Sequence, residues 1–157
     1  MLFSEAVKIT GESEKARRLE NYFLGSLFAS VHGSIGEWTL HFYDPKTHKT
    51  VNCTVHENRT VELEAESPAL GRLEKLDISR VKISPDEAVQ AALADYSMPP
   101  VQTLLTLAMK AGAPVWTVSL ISAALSVSSY DVSAEDGSIK EKRIASMMQR
   151  FNSAGRN

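Results

Sequence analysis

Between Trp38 and Ala65, apolar and polar positions alternate through three successive runs. Trp38, Leu40 and Phe42 alternate with Thr39, His41 and Tyr43, the period of a half-buried strand. Asp44-Pro45-Lys46-Thr47-His48-Lys49 supplies turn residues, and Val51, Cys53 and Val55 then alternate with Asn52, Thr54 and His56. Pairing Asp44 with Lys49 sets Phe42 opposite Val51, Leu40 opposite Cys53 and Trp38 opposite Val55. Every apolar side chain then shares one face, and a one-residue slip would undo that agreement. After a turn at Glu57-Asn58-Arg59, Val61, Leu63 and Ala65 continue the apolar stripe. The pattern predicts a three-stranded antiparallel meander with one greasy face.

A helix is expected in front of it to cover that face. Over residues 13–31, Ser13 stands as a cap and Leu19, Tyr22, Phe23, Ser26, Leu27 and Val31 recur at three- and four-residue steps, ahead of a stop at Gly33-Ser34-Ile35-Gly36. Residues 67–83 read as a connector punctuated by Pro68 and Gly71. Ser84-Pro85-Asp86-Glu87 then writes a helix start: a cap, a proline in the first turn and two acids at the positive end of the dipole. Met98-Pro99-Pro100 breaks that helix, and a second helical piece is expected through Val101, Leu104, Leu105, Ala108 and Met109 as far as Gly112.

A second set of strands follows. Trp116, Val118 and Leu120 alternate with Thr117, Ser119 and Ile121, residues 127–133 return, and Glu135-Asp136-Gly137-Ser138 forms a hairpin turn before a closing strand over 139–143. Residues 144–152 are expected to form a last short helix, with 153–157 fraying. Trp38-Thr39-Leu40 thus returns as Trp116-Thr117-Val118, and the turn residues Asn58 and Asp136 follow the two tryptophans at equal spacing. Such an echo predicts a duplicated unit. The expected fold class is α+β, two helix-plus-antiparallel-meander units in tandem. Residues 1–66 form the first unit, 67–83 the connector, and 84–152 a second unit with a broken helix.

Composition narrows the function classes. With 157 residues, 43% hydrophobic and 23% charged, the chain can bury a core without a disulfide or metal staple. A net charge of −2 supplies no broad positive field to draw nucleic acid or anionic lipid, so neither is an expected partner. Cys53 stands alone, excluding an internal disulfide. Glu5, Lys8, Glu12 and Glu14 interrupt any signal-peptide core, and no run approaches the roughly 18 apolar residues of a spanning helix. The expected location is the cytoplasm.

No constellation of catalytic residues emerges. His41 and His56 fall on non-adjacent rungs of the first sheet's wet face, His48 in a turn and His32 at a helix end. No tight imidazole pair or Cys-x-x-Cys spacing points to a metal. Cys53 points into the core, facing Leu40. The serines of the second set (Ser119, Ser122, Ser126, Ser128, Ser129 and Ser133) lack a nucleophile elbow, and no histidine follows His56. No glycine-rich phosphate loop occurs, so no cofactor is expected. Glu62, Glu64 and Glu66 read as a solubilising strand face. Lys140, Lys142, Arg143 and Arg150, interleaved with Glu141, read as a solvated basic one. Trp38 and Trp116 are expected to anchor their sheets, while a ligand pocket between sheet and helix would draw on Tyr22, Tyr96, Met109 and Trp116.

The second half resembles a PepSY domain. Ile83-Ser84-Pro85-Asp86-Glu87-Ala88-Val89 is similar to that family's opening helix, and Pro114-Val115-Trp116-Thr117-Val118-Ser119-Leu120 to its tryptophan strand. Tyr130-Asp131-Val132-Ser133-Ala134-Glu135-Asp136-Gly137-Ser138-Ile139 is similar to its Asp-rich strand and glycine turn. The first half keeps the tryptophan strand and spacing but has Asn58-Arg59 at the glycine turn. The resemblance implies cystatin-like units, an interaction or peptidase-inhibitory role, and no catalytic residues. The family is generally extracytoplasmic or membrane-attached, and this chain departs from it in carrying no recognisable export segment. The function expected is therefore a non-enzymatic binding or regulatory protein that takes a peptide or protein at an exposed sheet edge. A small-molecule site, with or without enzymatic activity, and a subunit of a homo-oligomer such as a homodimer are the alternatives.

Overall fold

The computed structural model describes residues 1–146. They form an α+β fold in which two helices pack on one face of an antiparallel sheet. The chain runs through helix α1 (Phe3–Glu12), a 3-10 segment (Glu14–Leu19), and strands β1 (Phe23–Val31), β2 (Trp38–Asp44), β3 (Lys49–Val55), β4 (Val61–Leu63) and β5 (Ser67–Pro68). A connector with a short 3-10 turn leads to helix α2 (Pro85–Asp95). Strands β6 (Gln102–Lys110), β7 (Ala113–Ile121), β8 (Ser126–Ser133) and β9 (Ile139–Ser146) follow. The sheet order is β4-β3-β2-β1-β6-β7-β8-β9, with β5 also pairing β3.

The register read from the alternation is the observed one: Asp44 pairs Lys49, Phe42 Val51, Leu40 Cys53 and Trp38 Val55. It extends further than a meander. An apolar row, Leu63–Cys53–Leu40–Leu27–Leu107–Trp116–Val132–Ile139, crosses eight strands on the helix-covered face. The adjacent row on the other face is Glu62–Thr54–Thr39–Phe28–Thr106–Thr117–Asp131–Glu141. One face is greasy and the other polar, as the period of two requires.

Two expected helices are strands. Residues 13–31 contain only the 3-10 segment and then β1, and the Val101–Met109 stretch is β6. These two strands pair with each other at the middle of the sheet. Leu27 and Ala29 are buried under the helices while Phe28 is half-buried on the opposite side. Leu105 and Leu107 repeat the pattern with Leu104. Apolar residues on both faces blur the two-residue period and imitate helical spacing. Each meander consequently gains one long strand, and the covering helix of the first half is α1, which the sequence pattern did not mark. Helix α2 begins as expected, with a full capping box between Ser84 and Glu87. Of the last helix expected over 144–152, residues 144–146 belong to β9 and the rest lies outside the described residues.

The core is continuous across both halves. Phe3 of α1 sits edge-on between the two indoles, 6.3 Å from the Trp38 ring and 5.6 Å from the Trp116 ring. The indoles themselves lie 6.3 Å apart. Their polar contacts correspond: Trp38 Nε1 donates to the Met1 carbonyl and Trp116 Nε1 to the Ile83 carbonyl, each just ahead of the helix that covers its strand. Thr60 N and Oγ1 bond Asn58 Oδ1, as Ser138 N and Oγ bond Asp136 Oδ1.

Candidate functional site

The two outer edges of the sheet differ. One is built from three-residue β4 and two-residue β5, whose registers on β3 are offset by one residue, with Glu62 on β4 and Glu64 just after it. An edge so interrupted is a poor template for another strand. The other edge is β9, eight residues long, with no further strand beside it among the described residues. Among the described residues nothing pairs with its outward backbone donors and acceptors, which could accept a strand, and Ile139 and Ile144 are exposed beside them.

Side chains fix β9 to the sheet. Asp131 on β8 is 5% exposed. It accepts from Arg143 Nη1 at 3.0 Å and Nη2 at 2.9 Å, from Lys110 Nζ at 3.1 Å, and from Thr117 Oγ1 at 2.9 Å. Burial pushes its carboxyl up, but the bonds from Arg143, Thr117 and Lys110 outweigh that and hold it down to about 2. On the helix side, Lys142 donates to Asp95 Oδ2 at 2.7 Å and lies 5.2 Å from the centre of the Tyr130 ring, while the Tyr130 hydroxyl donates to the same carboxylate. These bonds hold the Asp95 carboxyl below its ordinary range. The strand is thus clamped from both faces.

A second feature is an open groove of about 940 Å³ at the far end of β1 and β3, with His32, Glu37, His56, Asn58 and Glu62 in its wall. His56 Nδ1 lies 3.0 Å from Glu37 Oε2, and Nε2 lies 3.3 Å from Glu62 Oε2 but off the line of a good hydrogen bond. The contact with Glu62, then that with Glu37, raises the His56 pKa against the opposing effect of desolvation. Its two ring nitrogens face different carboxylates, so they do not converge on one point. Among the described residues no group of three or more His, Cys, Asp or Glu side chains is placed to hold a metal.

The other histidines are also dispersed. His32 bonds Ser30, His48 bonds the Tyr43 hydroxyl, and His41 Nδ1 bonds Asn52 Oδ1 at 2.7 Å. Cys53 has no exposed surface, and its thiol, 3.8 Å from Thr10 Oγ1, is pushed up by burial. Of the four residues considered for a pocket under the helix, Trp116 is fully buried and Met109 lies two rungs along, on β6. Tyr96 caps the opposite end of α2 from the Trp116–Ile83 bond, about 16 Å along the helix axis. Tyr22 belongs to the first half, where it bonds Glu66 Oε1 at 2.8 Å. Partial burial and that contact push its hydroxyl up to about 12. The fold does not gather these four into one pocket. The clamp on β9 was not anticipated, although Asp131, Lys142 and Arg143 all stand in segments whose strand character the sequence shows.

No family model matches the chain, and no curated protein matches it. Among solved structures it is similar to a crystal structure from Clostridium difficile 630 described as a "putative lipoprotein", with a TM-score of 0.69 and 12% identity. The match covers 92% of this chain and 93% of that one, so the likeness is one of the whole fold. No described helix is long and apolar enough to cross a membrane.

Proposed function

We propose that this chain is a non-enzymatic binding protein, a tandem of two PepSY-like, cystatin-like units, which captures an extended segment of a partner protein by strand addition to β9. The observation that carries the reading is the contrast between the two edges: one interrupted and acidic, the other long and clamped in place before any partner arrives. Preorganisation of this kind lowers the ordering cost of binding. Lys140, the cation of β9 with no ion pair among the described residues, favours a partner segment with acidic side chains. The tandem reading draws support from the paired tryptophan–carbonyl bonds, the paired Asn58 and Asp136 turns, and the buried Ala6 and Ala88 at equivalent places in α1 and α2. The peptidase restraint that the resemblance implies is the form of this activity in which the captured segment belongs to a protease.

The test is amide hydrogen exchange in the presence of a panel of extended acidic peptides. Binding through the edge protects β9 amides and is lost in Ile144→Pro, which removes a donor and bends the strand. Protection mapped to the opposite edge or to the helices, or unchanged binding by the proline variant, would overturn the assignment.

A further inference from the structure

After β5 the chain forms a strap over the polar side of β1–β3. It is tied down at one end by Ala69 N to the His48 carbonyl, and at the other by Leu76 N to the Leu24 carbonyl. Leu73 packs where Gly25 has no side chain: a Cβ at that position would lie 2.8 Å from Leu73 Cδ1. This contact coincides with the β-bulge between Leu24 and Ser26. Between these anchors the strap stands off the sheet and encloses a groove of about 420 Å³, within the usual range for small ligands.

The groove combines three unlike features. Its floor includes Ser26, His41 and Asn52, which are cross-strand partners on adjacent strands. Asn52 Nδ2 donates to Glu64 Oε2 at 2.9 Å, and a carboxylate only accepts, so the Asn52 oxygen is the atom turned to His41. His41 Nδ1 therefore carries the proton of the neutral ring, and Nε2 is left as an acceptor. The wall contributes Arg72, whose guanidinium has no ion-pair partner among the described residues. The roof is apolar: Leu73 and the fully exposed Leu70. An unpaired cation, a free acceptor and an uncovered leucine together describe the complement of a single chemical group.

We infer that this groove binds an N-acylated apolar amino acid with a free carboxylate, either as a small molecule or as the C-terminal residue of a polypeptide. Arg72 takes the carboxylate, His41 Nε2 accepts the amide N–H, and Leu70 and Leu73 cover the side chain. The site is separate from β9 and does not depend on that edge.

The probe is N-acetyl-leucine, titrated into the isotope-labelled protein and followed by NMR. The expected result is saturable shifts at His41, Leu70 and Arg72, with N-acetyl-leucinamide, which lacks the charge, binding at least about tenfold more weakly. Arg72→Gln and Leu70→Ala each weaken binding while leaving the remaining spectrum folded, and Ile144→Pro leaves it unchanged. An acetylated tetrapeptide ending in leucine that binds more tightly than the single residue makes the ligand a chain terminus, and weaker binding makes it the free acid. Absence of saturation, equal affinity for acid and amide, or an unaffected Arg72→Gln variant overturns the inference.

Discussion

Replacing Asp131 with asparagine removes the charge on which the clamp over β6–β9 converges. The carboxyl is held from its ordinary 3.8 down to about 2, because bonds from Arg143, Thr117 and Lys110 outweigh the burial that pushes it up. That depression corresponds to about 2 kcal/mol of stability in favour of the ionised form. Lys110 and Arg143 are close to half-exposed and recover water once the anion is gone, which keeps the loss below the roughly 3–5 kcal/mol of a fully buried broken pair. The sign follows from the depressed value. The contribution is complete above the unfolded carboxyl's range, and it drains away as pH falls through that range toward about 2. Urea unfolding followed by tryptophan fluorescence, run from neutral pH to about pH 2.5, compares wild type with Asp131→Asn. A gap of about 2 kcal/mol at neutral pH should shrink steadily in acid. A gap under about 0.5 kcal/mol, or one independent of pH, would refute the reasoning.

Trp38→Phe and Trp116→Phe each keep a ring in the core but lose an Nε1–carbonyl bond and some volume. Both should cost about 1–3 kcal/mol in the same unfolding assay, and a silent variant at either position would show that its bond contributes nothing. His56 should titrate above its ordinary value by NMR, and Glu62→Gln should bring it back further than Glu37→Gln. Its bound proton favours the folded state below the unfolded histidine's pKa, and that contribution disappears as pH rises through the raised folded value. A ring that titrates normally in the wild type would remove the coupling.

The β2–β3 hairpin and the start of α2 were legible because each is specified by local features that agree. At β2–β3, alternation, turn residues and register coincide; at α2, cap, proline and acids do. Segments 23–31 and 102–110 failed for a physical reason. They occupy the centre of the sheet, where Phe28 and Leu104 make the second face apolar too, and pairing on both sides overrides the helical preference of leucine and alanine. Helix α1 escaped notice because Leu2 offers no side-chain cap and Gly11 dilutes its last turn; tertiary contact at Ala6 and Ile9 holds it. Single features of the sites could be read, including His41 on the wet face and basic residues on the last strand. Their grouping could not. Asp131 meets Lys110 only after β6, β7 and β8 are laid side by side, and Arg72 shares a groove with His41 through a strap seated by Leu73 on Gly25.

The β1–β6 seam has a consequence for how the polypeptide must be assembled. Leu27 faces Leu107, Ala29 faces Leu105, and Phe28 faces Thr106 midway between them, so both strands turn apolar side chains to the same seam. Released from its mate, either portion would present a nine-residue oily ribbon border to solvent, inviting self-association with any copy nearby. Tethering both on one backbone makes that encounter unimolecular, at an effective concentration in the millimolar range. The covalent link thereby keeps the stickiest surface of the molecule occupied from within.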